Sequence, residues 1–133
     1  MPKKRILIVD DEPEIIKAIE IRLKLSGYEV MDACDGQMAL SKARKMKPDL
    51  IILDLLLPKM DGFQIYKALK ANCATNHIPI IAYTAQNPEV VAEKGIEAVD
   101  MVDFVLKPFD TTVLVLAVEK ALRKGGENDN THC

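Results

Sequence analysis

Two kinds of apolar spacing alternate along the chain. Ile6, Leu7, Ile8 and Val9 form a short continuous apolar run, the pattern of a strand buried on both faces. Pro13 follows, then Ile15, Ile16, Ile19 and Leu23, which fall on one face of a helix that Ser26 and Gly27 bring to an end. Residues 28–33 predict a second strand, and 36–46 a helix carrying Met38, Ala39, Leu40, Ala43 and Met46. Pro48 precedes a strand over 50–53, and Asp61-Gly62 opens a helix over 63–71, with Asp61 placed to cap it. A fourth strand is predicted over 78–83, and Pro88 sits in the first turn of a fourth helix. Residues 103–106 make a fifth strand, and Asp110 caps a last helix that runs to about residue 123.

Five strands alternating with five helices predict an α/β fold with a doubly wound, five-stranded parallel sheet covered on both faces. The 133 residues suit one domain over 1–124, with the polar, Gly-rich 125–133 as a disordered tail or the start of a linker. Hydrophobic residues at 49% and charged residues at 29% are ordinary for a globular chain. A net charge of −2 gives no electrostatic reason to expect nucleic-acid binding by this chain. The apolar run at the N-terminus stops at Asp10, too short for a signal peptide, and no run reaches the roughly 18 residues of a membrane span. Cys34, Cys73 and Cys133 lack CxxC spacing, so they predict reduced thiols, with Cys34 and Cys73 at or near the core, in a cytoplasmic protein.

Charge adds a second constraint. Asp54 closes an apolar run and is followed by three leucines, and an unpartnered buried carboxylate is costly. The other predicted strands also end in polar residues: Asp10-Asp11 after the first, Thr84 after the fourth, Lys107 after the fifth. In a doubly wound sheet ligand chemistry gathers beyond the carboxyl ends of the strands. Three carboxylates against one ammonium leave about −2 in one crevice, which calls for protonation or a cation. An oxygen-only donor set suits Mg²⁺, or Mn²⁺, better than a metal that prefers thiolate or imidazole.

The strings VDDE (9–12), LDLLLPKMDG (53–62), YTA (83–85) and LKPF (106–109), with 30 residues from Asp54 to Thr84 and 23 from Thr84 to Lys107, resemble the receiver domain of two-component response regulators. That group includes the chemotaxis regulator of bacteria. The resemblance covers residues from about 4 to 124 and implies a flavodoxin-like sheet in the order 2-1-3-4-5. It implies that Asp54 accepts a phosphoryl group from a phosphohistidine on a histidine kinase or phosphotransfer protein. Asp10, Asp11, one Asp54 oxygen and the backbone carbonyl of Leu56 would hold Mg²⁺, while Lys107 and Thr84 would contact phosphoryl oxygens. Thr84 and Phe104 would form the switch, Phe104 standing where a Tyr is common, and the surface around strand five and the last two helices would change. The chain would catalyse its own phosphorylation and dephosphorylation and turn over no metabolite.

Blander readings exist for most of these residues. An Asp pair often only caps a helix, and Met60, Asp61 and Gly62 read as packing, cap and turn. His77 and His132 are isolated, and Lys42, Arg44, Lys45 and Lys47 suit a solvated helix face. An aspartyl-phosphate phosphatase of the haloacid-dehalogenase type would also use Asp, Thr, Lys and Mg²⁺. It needs an acid–base residue two positions after the nucleophile, where Leu56 stands. A flavodoxin-like cofactor binder needs a Gly/Ser/Thr phosphate loop where Asp10, Asp11 and Glu12 stand. Two features depart from the family pattern: Asp100-Met101 replaces a frequent Gly-Ala, and Val113 and Leu116 lie off the core stripe of Leu114, Ala117, Val118, Ala121 and Leu122. Val113 and Leu116, with Val90, Val91 or Met101, are expected to form an exposed dimer or effector surface. Burial of Val113 and Leu116 within one subunit would end that idea.

Overall fold

Among the described residues, each continuous apolar run becomes a strand and each amphipathic run a helix. The computed structural model describes residues 3–54, 62–84, 103–106 and 111–125. In chain order these give β1 (Arg5–Val9), α1 (Pro13–Leu25), β2 (Glu29–Ala33), α2 (Gly36–Met46), β3 (Leu50–Asp54), α3 (Gly62–Ala71), β4 (Ile80–Thr84), β5 (Asp103–Leu106) and α4 (Thr111–Gly125). The strands form one sheet in the order β2-β1-β3-β4-β5, every neighbouring pair parallel. The helix expected from Pro88 and the caps expected at Asp61 and Asp110 lie outside the described residues.

Side chains alternate across the sheet and so build two cores. Ile6, Ile8, Leu50, Ile52 and Ile81 face α1 and α4. Leu7, Val9, Ile51, Leu53, Ile80 and Ala82 face α2 and α3. Leu50, Ile51, Ile52 and Leu53 are all fully buried, at about 1.5–3 kcal/mol each by transfer. A one-residue slip of β3 would exchange its two faces and misplace whatever follows it. The next residue is Asp54.

Element ends moved where backbone hydrogen bonding overrides the apolar pattern. Ile78 was expected in a strand, but β4 begins at Ile80. Pro79 has no N–H for a ladder, and its carbonyl instead accepts from Ile51 N at 3.0 Å. Ile78 is nonetheless buried, in the turn after α3. That turn is closed by Thr75, 1% exposed, whose Oγ1 donates to the Leu69 carbonyl at 2.6 Å. Thr75→Val keeps the shape but leaves that helix-end carbonyl without this donor. It is expected to cost about 1–3 kcal/mol, read as a lower urea midpoint; an unchanged midpoint would show that the bond contributes nothing.

Lys47 ends α2 in the left-handed region, at φ 47. Beyond it Arg5 and Asp49 exchange backbone and carboxylate bonds, Arg5 N to Asp49 Oδ2 at 2.8 Å and Asp49 N to the Arg5 carbonyl at 2.7 Å. This clamp sets β1 beside β3 at the end remote from Asp54.

Two cysteine expectations are corrected. Cys34 and Cys73 are both exposed, because each follows the last residues of its element, where the chain turns outward. Cys34 is a free thiol, whereas Cys73 is disulfide-bonded, so the expectation of reduced thiols fails at Cys73.

Half-buried Tyr28 packs on the α1/α4 core; desolvation raises its phenol above the ordinary 10.0, Glu119 adds to this and Arg123 opposes it. With the folded value above the unfolded one, the protonated phenol favours folding. Its contribution is complete below about pH 10 and is lost as pH rises through the folded value. Tyr28→Phe should therefore flatten the alkaline fall of unfolding free energy; parallel curves for the two proteins would count against the assignment.

Candidate functional site at the carboxyl edge of the sheet

α1 leads from β1 to β2 on one face, and α2 returns from β2 to β3 on the other. The winding direction therefore reverses between β1 and β3, which is where a doubly wound sheet opens a crevice. β1 and β3 pair in register as Val9 with Leu53, so Asp10 and Asp54 are the next residues on adjacent strands. Strands lie about 4.8 Å apart, and both carboxylates are buried: Asp10 is 0% and Asp54 2% exposed.

The first carboxylate is held by the local chain. Asp10 N donates to the Ala33 carbonyl at 3.1 Å, extending the β1–β2 ladder by one residue. Glu12 N then donates to Asp10 Oδ1 at 2.9 Å. Glu12 itself is the N-cap of α1, in extended backbone with no side-chain cap bond, and its carbonyl accepts from Ile15 N and Ile16 N. The reading in which the Asp pair merely caps the helix therefore does not describe α1. Asp10 fixes the turn that leads into the cap, and Asp11 stands half-buried between them.

Asp10, Asp11 and Glu12 each offer a carboxylate oxygen, and these lie within 4.8 Å of one another. Glu12 was given no role from sequence, although it stood in the quoted VDDE; it is exposed, and only the backbone turn brings it round to the other two. An all-oxygen set with one member buried and two reaching water fits a small hard dication that keeps part of its hydration. Thiol and imidazole are absent from that group, so its donor chemistry suits Mg²⁺ or Mn²⁺.

The rest of the expected site is placed by register. Asp54 pairs with Tyr83 across β3–β4, and Thr84 with Leu106 across β4–β5, so Asp54, Thr84 and the end of β5 share one edge. Phe104 pairs with Ala82 inside β5. The side chains of Thr84 and Phe104, and the whole of Leu56 and Lys107, lie outside the described residues. The same is true of Val90, Val91, Met101 and the Val113 side chain from the expected interaction surface. Leu116 is 59% exposed on α4, off the buried stripe of Leu114, Ala117, Val118 and Ala121, as its position predicts. Val115, left out of that stripe from sequence, is buried as well. No helix among the described residues is long and apolar enough to cross a membrane.

Comparison with known proteins agrees with this architecture. The response regulator receiver domain model matches residues 6–119. The alkaline phosphatase synthesis transcriptional regulatory protein PhoP of Bacillus subtilis is 40% identical over 121 residues, covering 91% of this chain and 49% of that protein. The phosphate regulon transcriptional regulatory protein PhoB of Pseudomonas aeruginosa is 39% identical over 130 residues, covering 98% of this chain and 56% of that protein. This chain thus spans about half the length of the curated relatives it matches. Among solved structures, the chemotaxis response regulator CheY4 of Vibrio cholerae superposes with a TM-score of 0.81 at 33% identity, covering 90% of this chain and 99% of that one. With a carboxylate-lined switch point and matches over nearly its whole length, the chain belongs to the response regulator receiver domain family.

Proposed function

We propose that Asp54 is the phosphoacceptor of a signalling switch, taking a phosphoryl group from a phosphohistidine on a histidine kinase or phosphotransfer protein. The observation that carries this reading is the pairing of two buried carboxylates, Asp10 and Asp54, at the switch point of the sheet. Transfer breaks the donor's P–N bond and forms a P–O bond to an Asp54 carboxylate oxygen, with the histidine nitrogen leaving.

Asp10 and Asp11, one Asp54 oxygen and the Leu56 carbonyl are the donors proposed for Mg²⁺, with Mn²⁺ as an alternative. Bound there, the dication would screen the approach of an anionic donor to an anionic nucleophile and neutralise charge on the transferring group. The chain's residues do the rest. Asp10 keeps its orientation through the Glu12 amide. Lys107 is proposed to meet a second phosphoryl oxygen as a point charge, and Thr84 a third through its hydroxyl. Withdrawal of Thr84 toward the phosphoryl group would give Phe104 room to turn inward. The changed surface would run along β5, α4 and the helix expected before β5, with Leu116 in a dimer or effector contact. We assign the chain to the cytoplasm, where such donors work, and assign it no turnover of metabolites.

Incubation with Mg²⁺ and a small acyl phosphate tests the reading. One stable, acid-labile phosphate on Asp54 supports the switch. Continuous catalytic release of phosphate would support the phosphatase instead.

A further inference from the structure

Cys73 stands exposed two residues past the end of α3, on a turn that hydrogen bonds hold fast. Ala74 N donates to Asn72 Oδ1 at 2.8 Å, Asn76 N to the Asn72 carbonyl at 2.8 Å, and Thr75 Oγ1 to the Leu69 carbonyl at 2.6 Å. The Cys73 sulfur adds nothing to the core, yet it is disulfide-bonded, while Cys34 is free. The chain contains three cysteines, which leaves Cys133.

Topology agrees that Cys34 is no partner. It follows β2 at the carboxyl edge of the sheet, whereas α3 starts from that edge and ends at the amino edge, beside Cys73. The two edges are a strand length apart, about 17 Å, and a disulfide needs α-carbons within about 7 Å. α4 also ends at the amino edge. Ile65 and Leu69 of α3 pack with Ile51 and Leu53, and Leu114 and Val118 of α4 pack with Leu50 and Ile52, so the two helices sandwich β3. The turn after α3 reaches the amino end of that strand, where the Pro79 carbonyl accepts from Ile51 N at 3.0 Å. Passing from one helix layer to the other over this edge takes about 20 Å. The chain from Gly125 to Cys133 spans up to about 28 Å when extended. Residues 126–132, GENDNTH, bring no apolar side chain, so burial gives that segment no anchor.

We propose that Cys73 and Cys133 are a redox modification site, a dithiol that a small disulfide such as oxidised glutathione closes into a reversible strap across the amino edge. One protein thiolate attacks the small disulfide, forms a mixed disulfide and releases one small thiol. The second protein thiolate then attacks the protein sulfur of that mixed disulfide and displaces the other. Two protein thiols and one small disulfide become one protein disulfide and two small thiols, which take the protein's protons. In a compartment kept reducing, such a bond is transient. An exposed sulfur is open to the reverse attack, which suits a switch better than a permanent staple. The bond closes a loop of roughly 60 residues that includes β4, β5 and α4. Oxidation therefore limits how far α4 can part from the sheet, and reduction releases it. Asp54 lies at the other edge, so the strap closes with or without a phosphoryl group there.

The probe is oxidised glutathione, applied to the full chain carrying Cys34→Ser so that the free thiol does not take up the reagent. After oxidation this chain should accept no thiol-alkylating group on unfolding, and after dithiothreitol two. Digestion of the oxidised wild type should release one linked pair of peptides, holding Cys73 and Cys133. The thermal midpoint should rise on the order of 10 °C on oxidation and fall back with dithiothreitol. Cys73→Ser and Cys133→Ser should each abolish both the link and the rise, and at exposed Cys73 the change removes no core packing. Two alkyl groups still accepted after oxidation, a stable glutathione adduct on Cys73, a bond to Cys34, a disulfide between two copies of the chain, or a linked chain with an unmoved midpoint would each overturn the proposal.

Discussion

Asp54→Asn is expected to abolish acid-labile phosphorylation while leaving the chain folded. The substitution keeps the size and planarity of the side chain at a position 2% exposed, so the packing around the end of β3 has no cavity to absorb. What is lost is chemical. An amide oxygen is a far weaker nucleophile than a carboxylate, and it removes one of the charges that would hold the dication. Losses on removing a catalytic nucleophile run to three or more orders of magnitude in rate, or about 4 kcal/mol and upward in barrier. Intact-mass measurement after treatment with a small acyl phosphate reads this directly. The wild type should gain the mass of one phosphoryl group, labile to acid and alkali, and the variant none. Undiminished uptake in the variant would move the acceptor elsewhere. Uptake lost together with the cooperative unfolding transition would mean only that Asp54 holds the fold.

The backbone of this site was readable in the sequence because burial on both faces leaves a strand no choice of pattern. Leu50 to Leu53 could hardly be anything but a central strand, so Asp54 had to stand at its edge. The two-residue error at β4 has the same origin in reverse. Ile78 is as apolar as Ile80, and only hydrogen bonding separates them, through Pro79 and the Thr75 hydroxyl. Apolar periodicity carries no information about which carbonyl a buried threonine satisfies. The cysteines failed for a related reason: a small apolar side chain says little about exposure when it falls one or two residues past the end of an element.

Glu12 shows a different limit. Its carboxylate joins those of Asp10 and Asp11 through a reversal of the chain fixed by the Asp10 Oδ1 bond to its own amide. A run of three acidic residues reads equally well as a solvated turn, and alternation of polar and apolar positions cannot tell the two apart. Leu116 gave the opposite outcome. It was placed off the core stripe by helical spacing alone, and spacing is reliable on a helix as long as α4.

Two changes at Asp10 should separate its structural duty from its proposed duty toward the metal. In the wild type, Mg²⁺ that binds only the folded chain raises stability by about 2.7 kcal/mol at a concentration a hundredfold above the dissociation constant. Asp10→Asn keeps an oxygen for the Glu12 amide, which now donates to Asp10 Oδ1 at 2.9 Å, but removes the charge. Its unfolding midpoint without metal should stay cooperative, while the shift on adding Mg²⁺ should shrink by at least the roughly 1.4 kcal/mol that a tenfold loss of affinity represents. Asp10→Ala removes the oxygen as well. It should lose the same metal response and a further 1–3 kcal/mol or so, because the Glu12 N–H at the entry to α1 loses its acceptor beside a fully buried position. Thermal unfolding of the three proteins, each with Mg²⁺ and with a chelator, reads both quantities. A full Mg²⁺ shift retained in Asp10→Asn would remove Asp10 from the metal site. Equal metal-free stability of the Asn and Ala variants would show instead that the bond to Glu12 does not hold the turn. Loss of the metal response in both, with stability falling only in the alanine variant, is the pattern of a carboxylate that orients itself with one oxygen so that the other can serve the metal.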